Sequence, residues 1–226
     1  MPEDSFDIPE LEHNSRQNNK LTSRSLLACN RAVSVLLACS CCWFAPAAFA
    51  DTTIIIVRHG EKPAQGLGQL SCQGLNRALA LPAVLLSRYG NPVAIYAPNP
   101  AIKKIDHGIS YAYIRPLATI EPLAIRVGLP VNLDWEMADI APLSEQLLTY
   151  TEGTLVVAWE HHLGETLARH LLADLGGNPE EVPNWDNADF DSIFVLRVTG
   201  ATQGKRHVTF TREQENLNDL PVMCTK

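Results

Sequence analysis

Beyond its N-terminal segment, the chain alternates between short apolar runs and longer amphipathic stretches. Residues 52–57, TTIIIV, are β-branched throughout, which predicts a strand covered on both faces. Residues 71–90 have helical spacing, with Ser71 as the cap and Gly90 at the end. The run NPVAIYAPNP, residues 91–100, predicts a second strand closed by prolines.

The middle of the chain is less regular. Residues 99–114 show no period and are expected to be irregular. A helix is predicted over 115–128, with a proline in its first turn and a kink or break at Pro122. The segment LPVNLDW, residues 129–135, predicts a short third strand, and 141–153 a further helix.

The last part of the chain predicts one more strand–helix unit and two closing strands. Residues 153–162, GTLVVAWEHH, form the fourth predicted strand, and 163–177 an amphipathic helix that ends at paired glycines. Residues 189–200 and 205–214 are expected to pair as an edge hairpin. This order predicts the α/β class, as a three-layer α/β/α sandwich with a mostly parallel sheet.

The first 50 residues have a different pattern. Residues 1–24 are polar, and 32–50 form an apolar stretch that follows an arginine and ends in Ala-Phe-Ala. A short apolar stretch with this ending is typical of a signal peptide, because a membrane span needs about 20 residues. We therefore expect cleavage after Ala50, a mature domain over 51–226, and a periplasmic or secreted location.

A lipid anchor is the alternative for this segment. The residues LLAC, 36–39, have the form of a lipoprotein processing site, which would tether the mature protein through Cys39. Since the apolar run continues past Cys39 to Ala-Phe-Ala, cleavage there is favoured and no stable membrane insertion is expected. The long polar lead also leaves the translation start open, with a start near Leu21 as the alternative.

The net charge excludes one class of binding partner, and the cysteine count allows one disulfide. After residue 50 the chain holds 20 of its 25 acidic residues and 14 of its 18 basic ones, a net charge of −6. No nucleic-acid partner is expected, because a phosphate backbone requires a basic face. Two of the six cysteines, Cys72 and Cys224, lie after residue 50. In an exported protein they form a disulfide or stay free, and both alternatives remain open.

Two of the predicted strands end in polar groups that are unusual for buried strands. Arg58-His59-Gly60 follows the first strand, and Glu160-His161-His162 follows the fourth. Ligands of parallel sheets bind at the carboxyl ends of the strands. If these strands are neighbours, two imidazoles and a guanidinium meet at one edge, together with Arg115 at a loop-to-helix junction.

These residues stand in segments that resemble those of the histidine phosphatase superfamily, also called phosphoglycerate mutase-like. IIIVRHGEK is similar to the RHG signature of the family, and GQLSCQGLNRALAL to the segment that starts the next helix. The segment IRPLATIEPLA resembles the one with the second arginine, which gives Arg115 and Thr119.

The strand segment LVVAWEH completes the resemblance, because it is similar to the family strand that ends in the second histidine. It matches that histidine to His161 rather than to the adjacent His162. The resemblance covers nearly the whole chain after residue 50, and it implies the phosphoglycerate mutase-like fold.

The resemblance also implies a reaction. His59 would attack phosphorus and become a phosphohistidine, so that phosphomonoesters are hydrolysed without a metal or other cofactor. Arg58, Arg115 and His161 would bind the oxygens of a small phosphorylated substrate. Gly60 would let the backbone pass close to that substrate.

The proton donor for the leaving alcohol is the open part of this assignment. In much of the family a glutamate supplies the proton, and NLDWEMAD offers Glu136 for that role, with Asp139 as the rival. Members without such an acid cleave good leaving groups. A noncatalytic phosphate-binding or interaction protein on the same fold, or a phosphomutase, is therefore the alternative function.

Two charged segments are expected to be solvated surface. They are the pair Lys103 and Lys104, and the acidic stretch VPNWDNADFDS over 182–192.

Overall fold

A computed structural model describes residues 51–202 and 205–224. The expected signal peptide and the lipid-anchor site at Cys39 lie outside the described residues, so both stay predictions. Within the described ranges, no helix combines the length and apolar character that crossing a bilayer requires.

The described residues form eight strands, four α-helices and one short 3₁₀ turn. The strands are β1 (Thr52–Arg58), β2 (Ala94–Tyr96), β3 (Lys103–Asp106), β4 (Ile109–Ala112), β5 (Val131–Asn132), β6 (Gly153–Trp159), β7 (Ser192–Thr202) and β8 (Lys205–Gln214). The helices are α1 (Cys72–Tyr89), α2 (Arg115–Val127), α3 (Ile140–Leu148) and α4 (His161–Asp174), and the 3₁₀ turn is Pro179–Glu181.

Six strands form one sheet in the order β5-β2-β6-β1-β7-β8. Strands β5, β2, β6 and β1 run parallel, whereas β7 is antiparallel to both of its neighbours. The predicted mostly parallel sheet with an edge hairpin is therefore confirmed.

The sheet is covered on both faces, as the unbroken apolar pattern of β1 predicts. Ile55 and Val57 pack with α1 and α2 on one face. Ile54 and Ile56 pack with α3 and α4 on the other. Alternate residues of one strand thus enter two separate cores, which confirms the three-layer sandwich.

The prediction that residues 99–114 are irregular is wrong. Strands β3 and β4 pair there as an antiparallel hairpin, separate from the main sheet. His107 and Gly108 form its two-residue turn with positive φ angles of 49° and 80°, as hairpin loops of this length require. Each strand has only four residues and carries lysines or exposed isoleucines, so apolar periodicity did not reveal it.

Two helices differ in detail from their prediction. Helix α4 begins at His161 rather than at residue 163, because Glu160 caps it by accepting a hydrogen bond from the Leu163 N–H at 3.1 Å. Helix α2 continues past Pro122 to Val127, so the proline costs a backbone hydrogen bond without ending the helix.

A buried cluster of charges fixes α1 against the rest of the domain. Arg77 is fully buried and binds three carboxylates, those of Glu61 at 2.7 Å, Asp191 at 3.2 Å and Glu215 at 2.6 Å. Glu61 belongs to the loop after β1, whereas Asp191 and Glu215 flank the closing hairpin. One guanidinium therefore joins three distant parts of the chain.

A disulfide adds a second tie at the same end of α1. Cys72 and Cys224 are bonded, with their Cα atoms 4.6 Å apart. The Asn76 side chain donates to the carbonyls of Pro221 and Met223, both at 2.8 Å. The open question about the two cysteines is thus settled in favour of a disulfide, which holds the C-terminal segment on α1.

Candidate active site

The ends of β1 and β6 meet at one edge of the sheet. The two strands are parallel neighbours in a register that pairs Arg58 with Trp159. The His59 N–H continues this pairing by donating to the Trp159 carbonyl at 3.1 Å. The expected adjacency of the RHG segment and the WEH segment is therefore confirmed.

His59 is held as a buried, neutral imidazole. It is only 4% exposed, and its Nδ1 lies 2.8 Å from the carbonyl oxygen of Gly60, so Nδ1 carries the proton and donates. Burial lowers the pKa of His59 to about 3, and the nearby charges of Arg115 and Arg58 act in the same direction. At neutral pH the lone pair of Nε2 is therefore free for attack.

Arg58 is anchored through one side of its guanidinium. Its Nη1 donates to the carbonyls of Asp186, Asn187 and Asp189, at 3.3, 2.9 and 2.8 Å. The guanidinium carbon lies 3.7 Å from the centre of the Phe190 ring. Burial lowers the pKa of Arg58 to about 10, so the side chain stays protonated at neutral pH.

Arg115 is anchored in the same manner at the start of α2. Its Nη1 pairs with Oδ2 of Asp106 at 2.6 Å, and its guanidinium lies 4.8 Å from the Tyr113 ring centre. The partner carboxylate comes from the β3–β4 hairpin, so the segment 99–114, which was expected to be irregular, positions the second arginine.

The two arginines leave equivalent edges open. In both, Nη1 is occupied, while Nε is buried and has no hydrogen-bond partner among the described residues. A buried N–H without a partner is costly, so native proteins rarely keep one unless a ligand or water satisfies it. The Nε–Nη2 edge of a guanidinium matches two oxygens of a phosphate or carboxylate. The site is therefore built to receive an oxyanion beside His59.

Tyr113 is a site residue that sequence reasoning missed. Its ring meets the His59 ring edge-on at 5.9 Å, and its hydroxyl is buried without a hydrogen-bond partner in the described structure. Burial raises the pKa of this hydroxyl above its usual value, so it remains a hydrogen-bond donor. It adds a third unsatisfied donor to the two arginines, and a tyrosine two residues before Arg115 was the available signal.

Gly60 and Thr119 fix the loop that carries His59. The Gly60 N–H donates to Oγ1 of Thr119 at 2.9 Å, and this hydroxyl in turn donates to the Arg115 carbonyl at 2.8 Å. A Cβ on Gly60 would lie 2.9 Å from the Cα of Gly74 in α1. Packing against α1 thus explains the glycine, and its contact with substrate stays a prediction.

His161 lies in the first turn of α4 with both ring nitrogens facing protein groups. Its Nε2 is 2.6 Å from Oδ1 of Asn187, and its Nδ1 is 2.7 Å from Oε1 of Glu160, though off the direction of a good hydrogen bond. Burial acts to raise the pKa of Glu160, but the contact with His161 and the Leu163 N–H lower it to about 2. If His161 is to donate from Nε2 to a phosphoryl oxygen, that oxygen must replace Oδ1 of Asn187 as its partner.

The candidate acids lie on the loop between β5 and α3. The Glu136 side chain is exposed, and its N–H donates to Oδ2 of Asp139 at 2.9 Å. Among the described residues, Glu136 shares no hydrogen bond with the His59 cluster. The loop nevertheless reaches the same sheet edge, because Nε1 of Trp159 donates to the Met137 carbonyl at 2.9 Å. The role of Glu136 stays a prediction.

The stretch 182–192 is part of the site rather than the solvated surface that its charge predicted. Asn187 contacts both Arg58 and His161, and Phe190 stacks on Arg58. Asp191 is buried, and Asp189 accepts from Ser192 and Arg212. Asp189 and Asp191 also bind the distant residues Arg212 and Arg77, which local composition does not reveal. In the described ranges, no group of three or more His, Cys, Asp or Glu side chains is arranged to hold a metal ion.

Comparisons with known proteins rest on structure. No family model and no curated protein sequence matches the chain. The protein assigned as the phosphohistidine phosphatase SixA of Nakamurella multipartitia is 14% identical, with a TM-score of 0.50 over 73% of this chain and 96% of its own.

Two further solved structures are similar at lower TM-scores. They are a mycobacterial glucosyl-3-phosphoglycerate phosphatase, with 17% identity and a TM-score of 0.45, and a phosphoglycerate mutase of Bacillus anthracis, with 12% identity and a TM-score of 0.42. The alignments cover 72% and 73% of this chain, and 98% and 94% of theirs. The described domain shares its α/β fold with the SixA structure, which matches at a TM-score of 0.50.

Proposed function

We propose that the protein is a phosphatase of the histidine phosphatase type, which hydrolyses phosphomonoesters through a phosphohistidine on His59 without a metal. The observation that supports this most is the pair of open Nε–Nη2 edges on Arg58 and Arg115, which flank a neutral imidazole. Two fixed cations favour a phosphate ligand, and a neutral His59 retains the lone pair that a nucleophile needs.

The proposed reaction has two displacements. In the first, Nε2 of His59 forms a bond to phosphorus while the ester P–O bond breaks, and the leaving alkoxide takes a proton from the general acid, for which Glu136 is the candidate. In the second, water attacks phosphorus and gives a proton to the carboxylate formed in the first step. The P–N bond breaks, which releases phosphate and regenerates neutral His59. The guanidiniums of Arg58 and Arg115 stabilise the negative charge of the transferring group, as phosphoryl transfer requires.

Labelling with a rapid alkaline quench tests this function, because a phosphohistidine is stable in base and hydrolysed in acid. The full chain, mixed with a radiolabelled phosphodonor in EDTA and quenched, is expected to carry acid-labile, base-stable label on His59. Absence of label together with measurable binding of inorganic phosphate favours the noncatalytic alternative. Transfer of the label to a second ester rather than to water favours the mutase. Labelling that EDTA prevents contradicts the metal-free reaction.

The assignment of Glu136 as the acid gives a prediction that depends on the leaving group. Glu136→Gln is expected to slow hydrolysis of an alkyl phosphate by about 100-fold, whereas para-nitrophenyl phosphate, whose leaving group needs no proton, changes little. Steady-state rates with both substrates measure this. Glu145→Gln, an exposed change on α3, is the control. An equal effect on both substrates refutes the assignment, and a selective effect of Asp139→Asn transfers it to Asp139.

Export remains part of this proposal. It rests on the apolar stretch over 32–50 and is supported by the bond between Cys72 and Cys224, since disulfides persist mainly in oxidising compartments. The position of the mature N-terminus, measured by mass spectrometry, distinguishes cleavage after Ala50 from lipidation at Cys39.

A further inference from the structure

Lys104 differs from the neighbouring Lys103 in position and surroundings. The two residues follow each other in β3, so their side chains lie on opposite faces of the hairpin. Lys103 is exposed, whereas Lys104 is partly buried and its ammonium lies 5.0 Å from the centre of the Tyr113 ring. The same ring contacts His59 and Arg115. Of the two lysines expected at the surface, one therefore faces the candidate active site.

The ammonium of Lys104 forms no ion pair with the described residues. No carboxylate of the described residues lies within 4.0 Å of it, whereas Lys62, the other lysine nearby, pairs with Asp106 at 3.2 Å. Burial lowers the pKa of Lys104, and the charges of Arg115 and Lys62 act in the same direction, while Glu160 opposes them. A partly desolvated cation without an ion pair is stabilised when an anion joins it.

The groups proposed to bind the phosphoryl oxygens do not need the charge of Lys104. The open edges of Arg58 and Arg115, with the Tyr113 hydroxyl, already present several donors to one tetrahedral group. Lys104 lies on a hairpin that is separate from the main sheet, and its ammonium is 5.0 Å from the centre of the Tyr113 ring. Its position suits a group next to the phosphoryl group rather than the phosphoryl group itself.

We propose that Lys104 binds a second anionic group of the substrate, so that the preferred substrates are phosphoric esters whose leaving group carries its own phosphate or carboxylate close to the ester oxygen. This inference rests on the proposed function and names its substrate class. The hairpin thus has two roles, since Asp106 positions Arg115 and Lys104 selects the leaving group.

A matched pair of substrates and a matched pair of variants test this inference. Ortho-carboxyphenyl phosphate and phenyl phosphate differ by one carboxylate, and Lys104→Gln and Lys103→Gln remove neighbouring charges on opposite faces. Lys104→Gln is expected to lower kcat/KM for the carboxylated ester about tenfold, mainly through KM, as loss of a charge-assisted contact does. The loss with phenyl phosphate should be several times smaller, and Lys103→Gln should leave both unchanged.

The outcomes separate this inference from the proposed function. Equal losses on both esters, or equal effects of the two variants, overturn the role of Lys104 even if phenyl phosphate is hydrolysed through His59. If neither ester is hydrolysed, the proposed function fails, and calorimetry still tests the lysine. Lys104→Gln should then weaken binding of pyrophosphate about tenfold more than binding of phosphate, and equal weakening of both ligands overturns the inference.

Discussion

Replacement of His59 by alanine is expected to lower kcat for para-nitrophenyl phosphate by at least about a thousandfold, or about 4 kcal/mol of transition-state stabilisation. The reason is chemical, because the variant has no atom that can form the bond to phosphorus. The arginine edges that bind the oxyanion remain, so KM or the affinity for inorganic phosphate should change far less than kcat. A buried imidazole with a pKa of about 3 is already neutral, so the wild type needs no separate base to activate it.

A second histidine provides the control for this experiment. His170 lies on α4 and is exposed, so His170→Ala removes an imidazole without touching the cluster and should retain full activity. Circular dichroism should show that His59→Ala keeps its fold, because the strand and the Trp159 contact involve only backbone at this position. Turnover by folded His59→Ala near the wild-type rate refutes the assignment of the nucleophile.

The sequence revealed the parts of the site that sit at the ends of strands. Arg58 and His59 follow an apolar run whose burial was predictable, and parallel strands carry their ligands at one end. The predicted neighbourhood of β1 and β6 is confirmed by the pairing of Arg58 with Trp159. The local sequence pattern was sufficient there, because each of these polar residues directly follows the strand that positions it.

The parts of the site that the sequence did not reveal depend on contacts between distant segments. Asp106 anchors Arg115 from a hairpin too short to show a period, and Asn187 reaches His161 from a loop that reads as acidic surface. Lys103 and Lys104 are the same residue type, and they differ only because successive side chains of β3 lie on opposite faces of the strand. Such roles follow from packing, which a single sequence does not display.

Replacement of Arg77 by methionine is expected to lower the free energy of unfolding by about 3–5 kcal/mol. The role of this residue, too, depends on contacts between distant segments. In the sequence it is one more basic residue of an amphipathic helix, yet it is fully buried against Glu61, Asp191 and Glu215. Methionine fills similar volume but leaves these three carboxyl groups without their cation. Urea unfolding monitored by circular dichroism measures the loss, and Arg126→Met, an exposed change on α2, should cost less than about 0.5 kcal/mol.

The pH dependence of stability distinguishes charge from packing in this cluster. Burial raises the pKa of Glu215 to about 8, although Arg77 opposes the shift. The folded state therefore binds a proton that the unfolded state releases above its pKa of about 4.3, so the contribution of Glu215 to stability is largest below that pH and falls as the pH rises to about 8. Glu215→Gln should flatten this slope, whereas Arg77→Met should steepen it, with the largest loss at alkaline pH. A loss from Arg77→Met that is the same at pH 5 and pH 9 would show that packing, not charge, holds α1 to the C-terminal segment.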